Sequence, residues 1–123
     1  MKLLDALYSI VSDSPMENGH DFELRLNPEH FIYQAHFPGE PITPGVCIMQ
    51  IAVELLEAAM KTPLALTCVK NIKFLKIIYP KELAQVSYSL QKITKEEGEV
   101  KAQVVVSAGN DIYAKLSLVC KEI

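Results

Sequence analysis

The chain turns on one stretch, His36-Phe37-Pro38-Gly39-Glu40-Pro41-Ile42-Thr43-Pro44-Gly45, which runs straight into Val46-Cys47-Ile48-Met49-Gln50-Ile51-Ala52-Val53-Glu54-Leu55-Leu56-Glu57-Ala58-Ala59-Met60. The second part reads as a helix: Thr43 suits the N-cap, Pro44 the first helical position, and Lys61-Thr62-Pro63 stops it. Its apolar residues spread almost all round the axis, so other structure must wrap it. The mid-helix polarity is confined to one stripe. At ~100° per residue, Gln50, Glu54 and Glu57 share a sector about 60° wide. That stripe must face solvent, a subunit boundary or a site.

Outward from the helix the period changes from 3.6 to 2. Phe22, Leu24 and Leu26 alternate with Glu23 and Arg25 before the Asn27-Pro28 turn signal. Leu66 to Ile78 reads as one long strand. Three more follow, carried by Val86, Tyr88 and Leu90, by Val100, Ala102, Val104 and Val106, and by Ile112, Ala114, Leu116, Leu118 and Cys120. The links Lys95-Glu96-Glu97-Gly98-Glu99 and Gly109-Asn110-Asp111 are short enough for hairpins, so these three strands are predicted to be antiparallel neighbours. Residues 1–12 are ambiguous between helix and edge strand. The expectation is an α+β chain in which a curved antiparallel sheet wraps one long central helix, with residues 1–123 forming a single domain.

Composition sets the class. A chain of 123 residues with 50% hydrophobic content can bury one modest core, which would gain from a partner subunit. No apolar run reaches the roughly 18 to 20 residues of a membrane span, since Gln50, Glu54 and Glu57 interrupt the longest one. Asp5 falls where a signal peptide would be apolar, so a cytoplasmic location is expected. Cys47, Cys68 and Cys120 are odd in number and widely spaced, which suits free thiols and neither a disulfide framework nor a metal site. Cys47 lies where a helix dipole can activate a thiol, but its neighbours are apolar and favour a structural role. The net charge of −3 is unevenly spread: residues 1–60 hold nine acids and two bases, whereas residues 61–81 hold Lys61, Lys70, Lys73, Lys76 and Lys81 with no acid. This basic island suits an acidic partner as well as it suits solvated strand-edge lysines. Overall acidity and the lack of interleaved aromatics argue against nucleic acid.

The loop carries the chemistry. Three prolines and two glycines between residues 36 and 45 make it stiff, because each proline fixes φ near about −65°. His36 is thereby held in place, and Gly45 lets a ligand approach bare backbone N–H groups at the helix start. Those groups and the helix dipole can hold a carbonyl oxygen that is gaining charge. A base beside such a position can remove a proton next to a carbonyl. His36 could equally be a structural loop histidine on spacing alone. His20 and His30 read as structural.

The segment His36 to Val46 resembles the His-Phe-Pro-Gly-x-Pro-x-x-Pro-Gly-Val signature of the beta-hydroxyacyl-acyl carrier protein dehydratases. Lys73-Phe74-Leu75-Lys76-Ile77-Ile78-Tyr79-Pro80 is similar to that family's Phe-x-Lys-Pro-Val-x-Pro-Gly segment, and the likeness spans about residues 22 to 121. The resemblance implies a hotdog fold, assembled as a homodimer or a trimer of dimers, with each site shared between subunits. It implies that His36 exchanges protons during syn elimination of water from a 3-hydroxyacyl thioester. Gly45 would hold the thioester oxygen, with Phe37 and Val46 lining the substrate and Lys70, Lys73 and Lys76 meeting an acyl carrier protein. No cofactor is implied, since the phosphopantetheine arm belongs to the substrate, and neither is a metal, a membrane or a nucleic acid.

The chain departs from the pattern where the family carries its helix acid. That position is Gln50, and the family's usual Gln position is Glu54, so acid and amide are exchanged across one turn. Either Glu54 serves the site from one turn further along through a water, or Gln50 only positions substrate or water, the dehydratase chemistry is weakened, changed or lost, and Glu54 is a solvated or dimer-contact acid. One turn is ~5.4 Å, too far for direct proton transfer, which favours the second. The alternatives to a dehydratase are a hotdog thioesterase and a non-catalytic acyl-thioester-binding subunit.

Overall fold

The computed structural model describes residues 2–123, leaving Met1, and with it the first residue of the ambiguous opening stretch, outside the description. Strands β1 (Tyr8–Met16) and β2 (Gly19–Leu26) form a hairpin. Two helices follow, α1 (Phe31–Ala35) and α2 (Gly45–Met60). The chain then lays down β3 (Leu64–Phe74), β4 (Gln85–Glu96), β5 (Glu99–Ala108) and β6 (Asp111–Glu122). All six strands belong to one antiparallel sheet in the order β1-β2-β4-β5-β6-β3.

The expected meander of β4, β5 and β6 is present, and its turns have the expected chemistry. Glu97 and Gly98 both take positive φ (52° and 77°), as a two-residue hairpin turn matching the strand twist requires. Alternation decides which side chains face inward: Val86, Tyr88, Leu90, Val100, Ala102, Val104, Val106, Ala114, Leu116 and Leu118 are all buried in one core. Cys47, Ile48, Ile51, Ala52, Leu55 and Leu56 of α2 join that core, and the Tyr88 hydroxyl donates to the Ile48 carbonyl at 3.2 Å. Each large aliphatic side chain so buried contributes about 1.5–3 kcal/mol relative to exposure.

Several expectations need correction. The helix is only 16 residues long, and it is not covered all round: Val46 is 67% exposed and Ala58 is exposed, so a long, fully wrapped central helix is not what the lone chain contains. The N-cap is Pro44 and the first helical residue Gly45. Thr43 cannot cap because its hydroxyl is buried against the Tyr33 hydroxyl at 2.9 Å. Strand β3 starts earlier than expected and ends at Phe74, not at Ile78. Beyond Phe74 the ladder breaks, because the N–H groups of Leu75 and Lys76 both donate to the Tyr113 carbonyl and the Ile78 carbonyl accepts from Thr43 N–H. From Tyr8 onward the ambiguous stretch is an edge strand, preceded by a turn in which Leu7 N–H donates to the Leu3 carbonyl at 2.8 Å. Among the described residues no helix is long and apolar enough to cross a membrane.

Candidate active site

Helix α1 was not anticipated, and it is what presents His36. His30 caps it, its Nδ1 accepting from Ile32 N–H at 3.1 Å, and His36 closes it, donating its own N–H to the Ile32 carbonyl at 3.0 Å. The turn signal Asn27-Pro28, followed by a polar His30, carries this helix in the sequence: Asn27 Oδ1 accepts from Glu29 N–H in an Asx turn. The loop then folds on itself. Phe37 and Glu40 exchange backbone hydrogen bonds, and Ile42 N–H donates to the His36 carbonyl at 2.8 Å. Thr43 N–H reaches across to Ile78, which ties the loop to the segment after β3. His36 is therefore fixed by its backbone while its ring stays exposed, edge-on to Phe37 with centroids 5.5 Å apart.

The loop delivers the chain to the start of α2, where the N–H groups of Gly45 and Val46 have no intrahelical partner. Phe74, at the end of β3, lies directly against Gly45: a Cβ there would sit 2.7 Å from the Phe74 Cζ. Any larger residue at position 45 would require the Phe74 ring to move. Phe37, Val46 and Phe74 are each more than half exposed, so an apolar surface surrounds the helix start. Neither a cavity of about 610 Å³ between the β1–β2 turn and the β4 bulge nor one of about 310 Å³ on the sheet face beside Lys73 and Lys115 is lined by His36.

The polar stripe of α2 faces a direction the sequence did not reveal. Glu54 is only 5% exposed, and both its oxygens are engaged. Oε2 accepts from Leu3 N–H at 2.8 Å and from Gln50 Nε2 at 2.9 Å, while Oε1 accepts from Leu4 N–H and the Tyr8 hydroxyl, each at 2.9 Å. Glu54 is thus not a solvated acid; it binds the turn that precedes β1 and the hydroxyl of Tyr8. Glu57 behaves similarly, accepting from Leu64 N–H at 2.8 Å. The i, i+4 spacing foretold that Gln50 and Glu54 could touch, but nothing local in the sequence named Tyr8 as their partner. Burial, with the Glu54 carboxylate adding to it, holds the Tyr8 hydroxyl well above its ordinary pKa, so it donates and does not ionise. Tyr33 is pushed up to about 12 by burial, with the Thr43 hydrogen bond pulling the other way.

The remaining candidates are structural or peripheral in the lone chain. His20 pairs with Asp13 at 3.0 Å and stacks on Phe22. Burial raises the Cys47 thiol, which opposes any activation at the helix start. Lys70 and Lys73 lie exposed on β3, Lys73 directly opposite Lys115, and Lys76 pairs with Asp111 at 3.0 Å.

A helix packed on an antiparallel sheet, with a histidine loop feeding the helix start, is a hotdog-type arrangement. The comparisons with known proteins agree. Residues 12–114 match the ApeI-like family, described as ApeI dehydratase. The chain is 28% identical over 94 residues to the 3-hydroxyacyl-[acyl-carrier-protein] dehydratase FabZ of Clostridium acetobutylicum, covering 70% of this chain and 66% of that protein. It is 31% identical over 104 residues to FabZ of Oenococcus oeni, covering 78% and 73%. It thus spans about two thirds of the length of these relatives. Its fold is similar to that in the dehydratase heterocomplex ApeI:P from Xenorhabdus doucetiae (TM-score 0.73, 12% identity, 92% of this chain and 96% of that one). It is also similar to a hypothetical thioesterase with coenzyme A from Streptococcus pneumoniae (TM-score 0.65, 8% identity, 94% and 85%). The chain belongs to the ApeI-like dehydratase family.

Proposed function

We propose that this chain is a 3-hydroxyacyl-acyl carrier protein dehydratase-like enzyme that removes water from a 3-hydroxyacyl thioester by syn elimination. The observation that carries this reading is the His36–Gly45 loop, which fixes an exposed imidazole by its backbone and leads directly to bare N–H groups at a helix start. In this reading the Gly45 N–H holds the thioester oxygen as negative charge develops, with Phe37 and Val46 against the acyl chain. His36 takes the C2 proton, the C3–O bond breaks, and the double bond forms between C2 and C3. Because proton and hydroxyl leave from one face, the imidazolium can return its proton to the departing hydroxyl, and water results. Gln50 supplies a hydrogen bond to that hydroxyl and no proton. The reaction needs no cofactor, and the phosphopantetheine arm enters with the substrate.

The site in this reading is shared by two copies of the chain, each a single domain. What supports a homodimer is the open β3 edge with its exposed Leu66, Ile72 and Phe74, continuous with the exposed Val46 of α2. A second copy covering that flank would make the 16-residue helix a central one. A carrier-protein contact at Lys70, Lys73 and Lys76 is supported by the Lys73–Lys115 pair, since like charges directly opposite on a sheet are unfavourable until an anionic partner meets them. Free thiols at Cys47, Cys68 and Cys120 suit a cytoplasmic setting. The test runs the reaction backward in D2O with an enoyl carrier-protein thioester. The expected product is a 3-hydroxyacyl thioester with deuterium at C2, absent with His36→Ala; equal incorporation by that variant would overturn the assignment.

A further inference from the structure

We infer that Glu54 is a positioning residue for the dehydration chemistry, acting through Gln50, while its bonds to Leu3, Leu4 and Tyr8 hold the fold, and this inference rests on the reading proposed above. A buried carboxylate is tolerated only when fully hydrogen-bonded, and Glu54 accepts four hydrogen bonds of 2.8–2.9 Å. Two come from the turn before β1 and one from the hydroxyl of Tyr8, the first residue of β1, so this segment is fastened along the polar stripe of α2. The fourth comes from Gln50 and removes the freedom an amide side chain normally has. With Nε2 committed to Glu54 Oε2, Gln50 cannot flip its amide without setting its carbonyl oxygen against a carboxylate. Glu54 therefore decides which way Gln50 presents itself. In the reading proposed above Gln50 meets the substrate, and the exchange of acid and amide across the turn makes Glu54 its anchor, so Glu54 itself transfers no proton.

The experiment is a double-mutant cycle on Gln50→Ala and Glu54→Gln in the full chain, reading kcat and KM for an enoyl carrier-protein thioester and melting temperature separately. Glu54→Gln alone should lower kcat by roughly 10- to 100-fold with KM little moved, since a misplacement of about 1 Å can cost 10²-fold. In the Gln50→Ala background the same change should cost less than about twofold in kcat, while still lowering the melting temperature. Additive losses in kcat would overturn the inference and leave the dehydratase reading standing. A parent with no turnover would remove that reading, and the inference with it. Should Glu54→Gln fail to fold, the Gln50 side-chain amide of the parent, followed by NMR, keeps the question answerable. Protected amide protons with one shifted downfield are expected, and solvent-like exchange of both would overturn the inference.

Discussion

At the level of single residues, the proposed function gives the chemistry to His36 and its support to the Gln50–Glu54 pair. His36→Ala removes an exposed ring while the backbone hydrogen bonds of the loop persist, so turnover should fall at least about 10²-fold with the melting temperature unchanged. Activity assay beside thermal melting checks this, and a variant retaining most of its rate would exclude His36. Gln50→Glu restores the acid of the resembled family but sets a second carboxylate where a donor now lies 2.9 Å from Glu54 Oε2. Two such carboxylates share one proton, so the folded-state pKa of the pair is raised. A raised pKa stabilises at acid pH and is lost as pH rises, so the variant's melting temperature should fall relative to the parent from acid to neutral pH. Its dehydration rate should nonetheless rise, since a carboxyl kept protonated can donate to the leaving hydroxyl. A rate no higher than the parent's would mean that an acid at position 50 has no use. The stiff loop that runs from His36 to a helix starting at Gly45 was legible in the sequence because its prolines and glycines are written in consecutive residues. The engagement of Glu54 was not, because Leu3, Leu4 and Tyr8 lie 46 to 51 positions away and two of the three donate through backbone that any residue would carry.

Among the elements, the start of α2 and the end of β3 constrain each other. Gly45→Ala places a methyl group against the half-exposed Phe74 ring, which must swing outward, at about 1–3 kcal/mol by comparison with other overpacked contacts. The melting temperature should drop, and Phe74→Leu in the same chain should recover most of the loss; a Gly45→Ala melting temperature equal to the parent's would show that the contact is not tight. The β4–β5–β6 meander could be read in advance because period-2 alternation and two-residue turns are local signals. The limits of β3 could not, since they depend on Tyr113 and Thr43 drawing hydrogen bonds out of the ladder. Helix α1 was missed because five residues are too few to show a period. Thiol reactivity follows the same packing. Cys68 lies exposed on β3, whereas burial raises Cys47 and, with a further push from Glu57, lifts Cys120 to about 11. Of the three thiols Cys68 should therefore react first with iodoacetamide at neutral pH, the more slowly the more fully a second copy covers β3, as located by mass spectrometry, and labelling of Cys47 ahead of Cys68 would contradict the packing.

For the whole molecule, the proposal stands or falls on assembly and on the reaction itself. If His36 of one copy works with Gln50 of another, mixing and refolding His36→Ala with Gln50→Ala chains should give activity above that of either variant alone. No recovery from well-mixed dimers would place both residues in one subunit. Charge reversal at Lys70, Lys73 and Lys76 should raise KM for carrier-protein substrates far more than for pantetheine thioesters, and should make binding less salt-sensitive. Lys76 should contribute least, because Asp111 already occupies it. The most direct measurement is product analysis, by mass spectrometry, after the purified protein is incubated with a 3-hydroxyacyl carrier-protein thioester. The account predicts enoyl thioester, approached also from the enoyl side and lost with His36→Ala; release of free acid, or bound substrate left unchanged, would contradict it.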